Sequence, residues 1–282
     1  MQMGRGTLAR AGAGLFVSAV LVAGAASSAA AATRAHGDLL HLAKPGTATN
    51  ANQSNNWFGY NQGYIEQGRK HLFHAITGDW TVPAASQHTS GQDEFSSDWI
   101  GIGGGCVDAN CNVTDNTLIQ TGTEQDVSGG NASYSAWWEV IPGPSLRITT
   151  VHPSAGDRMH ASIAEAVTNS NVWKIVLRDV TKGQTFTKTV PYSSTHLTAE
   201  WIEETPLVFG TGGVGLAALP NLGNPNFDLG TTDGAAAGLK PSEEIQLVDN
   251  SGRVIGSPSG PDSDADGFGA CTWATSCSAP GS

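Results

Sequence analysis

The chain carries none of the short signatures that mark the commonest catalytic folds. It has no G-x-S-x-G elbow, no H-E-x-x-H, no P-loop, no dinucleotide fingerprint between a strand and a helix, and no D-T-G or D-S-G. The chemistries those motifs serve are therefore not indicated. Basic residues are few, with 14 Lys and Arg against 25 Asp and Glu, which argues against nucleic-acid and anionic-membrane partners. Cysteine is limited to Cys106, Cys111, Cys271 and Cys277, with no C-x-x-C or Cys/His spacing suited to zinc. Histidines are scattered. The nearest pair, His71 and His74, reads as a surface feature, so no metal and no cofactor is expected. Helix-forming stretches are scarce as well, Ile163 to Val167 being too short to count.

What is present begins with an address. Arg5 and Arg10 precede an apolar run from Ala11 to Ala26 and a small-residue stretch from Ser27 to Ala32, the three-part build of a secretory signal peptide. Residues 1–32 are expected to be removed. The chain then loses two arginines and no acid, and its formal charge of −11 becomes −13. An exported chain suits local disulfides, Cys106 with Cys111 and Cys271 with Cys277. Residues 33–54, low in aromatics and containing Lys44-Pro45-Gly46, read as a mobile arm or short pro-segment, and residues 55–282 as one domain.

That domain is all-β by its local signals. About eleven short Thr/Val/Ile/Trp runs, from Gly78 to Phe268, are separated by Gly, Asn, Asp and Pro, the pattern of a large antiparallel sandwich. From Pro206 to Pro241 the composition turns to Gly, Ala, Asn and Pro, which reads as a surface loop or a flap over a site.

Three strands carry polar groups where a structural strand carries apolar ones. In Thr117–Glu124 a period of two puts Leu118, Gln120, Gly122 and Glu124 on one face, leaving open space at Gly122 between two polar side chains. In Ala199–Glu204 it groups Glu200, Ile202 and Glu204 against Ala199, Trp201 and Glu203. In Tyr134–Val140 it groups Trp137 with Glu139 and Trp138 with Val140. A buried glutamate has a raised pKa and can hold or accept a proton.

The run of motifs Asn56-Trp57, Gly78-Asp79-Trp80, Asp98-Trp99-Ile100-Gly101, Leu118-Ile119-Gln120-Thr121-Gly122, Tyr134 to Pro142 and Ala199-Glu200-Trp201 resembles, in content and order, the glutamic peptidases of family G1, the eqolisins. The resemblance covers Asn55 to Glu204 and is weaker beyond. It implies a β-sandwich of two antiparallel sheets of about seven strands each, like lectin jelly rolls, with the active site on a concave face. It implies a secreted monomeric acid endopeptidase, insensitive to pepstatin and acting on polypeptides, with Gln120 and Glu200 as the catalytic pair. Trp57, Trp99, Glu124, Trp137 and Glu139 would surround the substrate. On that reading Glu200 takes a proton from water and hands it to the leaving amine, while the Gln120 amide stabilises the oxyanion. Glu124 and Glu139 would raise the Glu200 pKa by repulsion. Gly103 and Glu124 stand where fungal members carry aspartate, and Thr198 where asparagine is common. A carbohydrate-active or carbohydrate-binding sandwich, or an inactive member of the family, are the alternatives. A glycosidase needs a second carboxylate where this chain has Gln120.

Overall fold

The computed structural model describes residues 33–35, 52–69, 72–210 and 213–281. The expected signal peptide and His71 lie outside them. Among the described residues the chain is all-β, its one helical element being a 3-10 turn at Pro241–Glu243.

Fourteen strands lie on one hydrogen-bonded path. In chain order they are β1 (Trp57–Gly63), β2 (Ala75–Thr81), β3 (Glu94–Gly103), β4 (Leu118–Ser128), β5 (Asn131–Val140), β6 (Leu146–Ile148), β7 (Arg158–Glu165), β8 (Val172–Asp179), β9 (Gln184–Pro191), β10 (Thr198–Glu204), β11 (Asn226–Thr232), β12 (Glu244–Val248), β13 (Val254–Pro258) and β14 (Phe268–Thr272). The spatial order is β9-β8-β7-β2-β11-β14-β13-β12-β1-β10-β3-β4-β5-β6, and every neighbouring pair is antiparallel. The path doubles over, so that β7, β8 and β2 pack on β10, β3 and β4. Ile76, Trp80, Met159, Ile163 and Ile175 from one layer meet Ile100, Ile119, Ala199 and Trp201 from the other in a single core.

Two indoles fix the stacking of the layers. Trp80 donates to the Thr123 hydroxyl at 2.9 Å and Trp201 to the Thr77 carbonyl at 2.8 Å. Gly78 makes room for the second contact, because a Cβ there would lie 2.8 Å from the Trp201 ring. Each indole thus buries its large apolar area without leaving its N–H unpaired.

The layers differ in how they meet water. In β8, Trp173, Ile175 and Leu177 are buried while Lys174 and Arg178 are exposed, the alternation of a sheet with one wet face. β1, β3 and β10 are buried at every position. Their outer face is covered by a second apolar cluster, Trp57, Trp99, Leu118, Trp137, Ile202 and Ile245, and by the loop after β3.

One expectation changes, and of the expected arm at 33–54 only the two ends lie among the described residues. The Gly-rich stretch from Pro206 to Pro241 is not a loop excursion, since its Asn226–Thr232 segment is β11, seated between β2 and β14. Low hydrophobicity concealed a strand whose Phe227 stacks on Phe268 at 4.9 Å. Both ends of the expected arm are paired: Thr33–Ala35 lies beside Leu207–Gly210, and Asn52–Ser54 runs parallel to β12.

Candidate active site

Strand register builds the site. On the outer face of the β1-β10-β3-β4-β5 layer, directly opposed residues form rows, and one row reads Asn61, Glu200, Gly101, Gln120, Glu139. Opposed residues of an antiparallel pair share a face, so Glu200 and Gln120 stand two strands apart, roughly 10 Å at Cα. Only Gly101, with no side chain, stands between them. The next row is Gly59, Ile202, Trp99, Gly122 and Trp137, and the one after it Trp57, Glu204, Ser97, Glu124 and Ser135.

Neither glycine leaves open space, since a Cβ at Gly101 or at Gly122 would meet neighbours at 3.0 Å or less. A Cβ on Gly122 would sit 2.5 Å from that of Trp99; Trp99 covers it. Above Gly101 the nearest groups are the edge of the Trp99 ring and Leu118, at 2.9 and 3.0 Å from a hypothetical Cβ.

Gln120 is fully buried and its Nε2 donates to Glu139 at 2.9 Å. That bond orients the amide. One N–H of Nε2 is left for another acceptor, and Oε1 has no hydrogen-bond partner. Glu200 is also fully buried, and neither of its oxygens has a hydrogen bond of good geometry among the described residues. Burial drives its pKa well above the ordinary glutamate value and Asp115 adds repulsion, while the Thr198 hydroxyl acts the other way. Glu124 and Glu139 are not among the causes, contrary to expectation, because Glu139 lies three strands from Glu200.

The loop following β3 explains the burial. Asn61 accepts from the Cys106 N–H at 2.8 Å and donates to the Cys106 carbonyl at 2.7 Å, while the Gly105 N–H reaches the Thr198 hydroxyl at 3.2 Å. These bonds draw the loop down until a Cβ on Gly105 would lie 2.6 Å from Glu200 Oε1. The Cys106–Cys111 disulfide closes the same loop, and Cys271 is bridged to Cys277. The first bridge serves the strap over Glu200 rather than the fold as a whole.

The tryptophans are pinned. Trp99 donates to Glu204 at 2.9 Å and Trp137 to the Ser97 hydroxyl at 2.9 Å, while Trp57 meets Trp99 edge to face at 4.8 Å. All three are at most 1% exposed, so they frame the polar row as packed walls. Trp138 faces the other way, partly buried against the core, with the Lys188 ammonium 5.8 Å from its ring centre. Glu124, four residues along β4 from Gln120, accepts from Ser135 at 2.6 Å and belongs to the third row.

Sequence reasoning missed Gly101, Asn61, Gly105, Asp115 and Glu204. Only Gly101 left a legible signal, as a small residue in a strand that is otherwise bulky. Gly103 also takes a different meaning. Its φ of +96° and a would-be Cβ contact of 1.8 Å with the Thr117 carbonyl leave no space for the aspartate of fungal relatives. Gly103→Asp is expected to destabilise the fold by roughly 3 kcal/mol or more, read from denaturant midpoints, instead of restoring a missing carboxylate.

Residues 55–263 match the Peptidase A4 family. The chain is 25% identical over 232 residues to aspergillopepsin-2 of Aspergillus niger, a match covering 73% of this chain and 74% of that protein. Its fold is similar to that of scytalido-glutamic peptidase crystallised with a transition state analog inhibitor, with a TM-score of 0.60 at 18% identity over 77% of this chain and 98% of that one. It is similar also to SCP-B, an eqolisin in complex with the tripeptide Ala-Ile-His, with a TM-score of 0.57 at 17% identity over the same shares. With its family matched across most of its length, the chain belongs to the Peptidase A4 family, the glutamic peptidases of family G1, and is a hydrolase.

Proposed function

We propose that the protein is a secreted endopeptidase in which Glu200 and Gln120 activate water against a peptide bond on the acid side of neutrality. The observation that supports this most is the row Glu200-Gly101-Gln120. Three buried acceptor oxygens, two on Glu200 and Oε1 of Gln120, have no hydrogen bond of good geometry among the described residues, and the residue between their strands has no side chain. A water held between the two side chains would have two protons to offer, one to each.

Ionised Glu200 takes a proton as the water oxygen attacks the carbonyl carbon, then delivers it to the amine as the C–N bond breaks. Its raised pKa makes it a stronger base once ionised and a proton donor near its own pKa. Gln120, with one N–H committed to Glu139, turns the other toward the developing oxyanion. A fixed donor needs no reorientation during the reaction. Gln120→Ala is expected to lower kcat by about 10² to 10³-fold with little change in KM, measured on a denatured protein with pepstatin present. An unchanged kcat would remove Gln120 from the mechanism.

A sugar hydrolase fits less well. The carboxylate nearest to Gln120 is Glu139, three strand spacings from Glu200, or about 14 Å at Cα. Glycosidase carboxyl pairs stand about 5 to 9.5 Å apart. Secretion and removal of residues 1–32 rest on the signal-like beginning and on two disulfides, which persist in oxidising compartments.

A further inference from the structure

Three side chains used in no step above meet where the chain enters β2 and β10 and leaves β7. His74 Nδ1 stands 2.8 Å from Glu165 Oε2, and His196 Nε2 stands 3.4 Å from the same oxygen. The three ligating atoms lie within 4.8 Å of one another, and the two imidazole centres are 4.6 Å apart. His71, the partner of His74 by spacing, lies outside the described residues. The relevant neighbours come from more than 90 positions further along the chain.

The cluster is built and not incidental. Glu165 is aimed by the Asn169 and Asn171 N–H groups at 2.8 and 2.6 Å. His196 is 7% exposed, rests against Trp173 at 5.1 Å and holds a left-handed backbone with φ of +60°, a conformation that costs a non-glycine residue about 1 kcal/mol or more. The carbonyl of His196 accepts from Phe73, and the His74 N–H donates to Asp233 at 2.8 Å. His196 Nε2, buried and directed at Glu165, stands 3.4 Å from it, an ion-pair distance outside good hydrogen-bond geometry.

We propose that His74, Glu165 and His196 bind a divalent transition-metal ion of the zinc type. Ligands about 2.0 to 2.1 Å from a tetrahedral ion stand about 3.4 Å from each other. The two separations from Glu165, 2.8 and 3.4 Å, approach this, and all three atoms lie within 4.8 Å of one another, so side-chain adjustment brings them around one ion. Two imidazoles and one carboxylate select zinc-like ions over calcium or magnesium, which take oxygen donors. The Asn169 and Asn171 amides play the orienting part that ligating carboxylates ordinarily receive from outer hydrogen bonds. The fourth position is left to water, with His74 partly exposed to solvent. Such an ion ties three strand ends together and braces residues 193–197, whose Thr195 bonds Asp115 and Thr117 beside Glu200. The site is independent of the catalytic assignment.

The test is titration of Zn²⁺ into the chelator-treated full chain near pH 6.5, followed by calorimetry and thermal unfolding. One equivalent is expected, raising Tm by about 5 °C or more once Zn²⁺ stands at a hundred times its Kd. His74→Ala and His196→Ala are expected to weaken binding more than about tenfold, and His160→Ala, in a pair with Asp79 elsewhere, to leave it unchanged. No binding by the wild-type chain, or full binding by both ligand variants, overturns the proposal. If either variant loses its circular dichroism, carbethoxylation of the wild type decides: Zn²⁺ should protect His74 while exposed His152 continues to react. Equal reaction at both histidines refutes the site.

Discussion

Glu200→Gln is expected to reduce peptide cleavage by at least about 10⁴-fold, to the level left when a catalytic base is removed but the rest of the site stands. The substitution preserves shape. It places a neutral amide where a carboxylate is buried without hydrogen bonds of good geometry, and the orphan Oε1 of Gln120 across Gly101 offers an acceptor to the new N–H. The fold should therefore survive, and the sign of its stability change is informative. Wild-type Glu200 must ionise at a buried site as pH rises, whereas the glutamine has no charge to bury. The variant should thus be inactive and, near neutral pH, more stable than the wild type. Loss of activity together with loss of stability would instead mark Glu200 as a structural residue. Circular dichroism melting alongside the cleavage assay separates the two.

The second large effect is a loss of stability as pH rises, and it originates on the other face of the same strands. Asp98 of β3 and Glu203 of β10 are opposed in register and fully buried in the sandwich interior. Burial raises the Asp98 pKa to about 7, partly offset by hydrogen bonds from Glu203 and Gln125. Glu203 is pushed up further by burial and by the neighbouring Asp98. The two carboxyls sit side by side across the β3–β10 pair, and Gln125 Nε2 donates to Asp98 at 2.8 Å. Glu243, against Glu66, is raised to about 8, burial being the main cause.

The sign follows from proton counting. Between the unfolded carboxylate values near pH 4 and these raised values, the folded chain holds protons that the unfolded chain has released, so stability falls as pH increases. Their contribution is fully present below about pH 4 and is lost progressively toward pH 7 to 8. Each unit by which burial raises such a pKa is worth about 1.4 kcal/mol of folding free energy, so carboxyls raised together can hold a large part of a typical domain's stability. Asp108, Glu165 and Asp249 are shifted downward and act oppositely, but only at or below the ordinary carboxylate range. Tm should therefore be highest in acid and drop toward neutrality. Glu203→Gln should flatten that profile, because the amide donates to ionised Asp98 without competing for its proton. A Tm that rises from pH 4 to pH 7 would contradict the proton count.

The two effects together bound the working range. Cleavage should climb as Glu200 ionises, above the ordinary glutamate pKa, and decline when the buried Asp98 and Glu203 carboxyls lose their protons.

How much of this was legible in the sequence depended on alternation. Wherever a strand had one polar and one apolar face, the period of two gave the correct grouping: Gln120 with Leu118, Glu200 with Ile202, Trp137 with Glu139. It failed where both faces are buried. β1 lacks alternation because Gly59 and Gly63 are needed for close backbone approach, a Cβ on Gly59 falling 2.2 Å from the Trp201 carbonyl. Register between strands was invisible too, since it is set by long-range packing. Open space was therefore assigned to Gly122, which Trp99 covers, and Gly101, the residue that lies between Gln120 and Glu200, went unmarked. For the same reason the pairing of Glu203 with Asp98, more than 100 positions earlier in the chain, could not be seen. The His74–Glu165–His196 cluster was hidden likewise, because adjacency in sequence pointed to His71.

The central claim is that Gln120 and Glu200 act as one unit across Gly101. It is tested most directly by kcat/KM for a denatured protein at mildly acidic pH, for the wild type, Gln120→Ala, Glu200→Gln and the double variant. Residues that act as a unit are non-additive, so the double variant should be no slower than Glu200→Gln alone. Full activity in Glu200→Gln, or losses that multiply in the double variant, would contradict it.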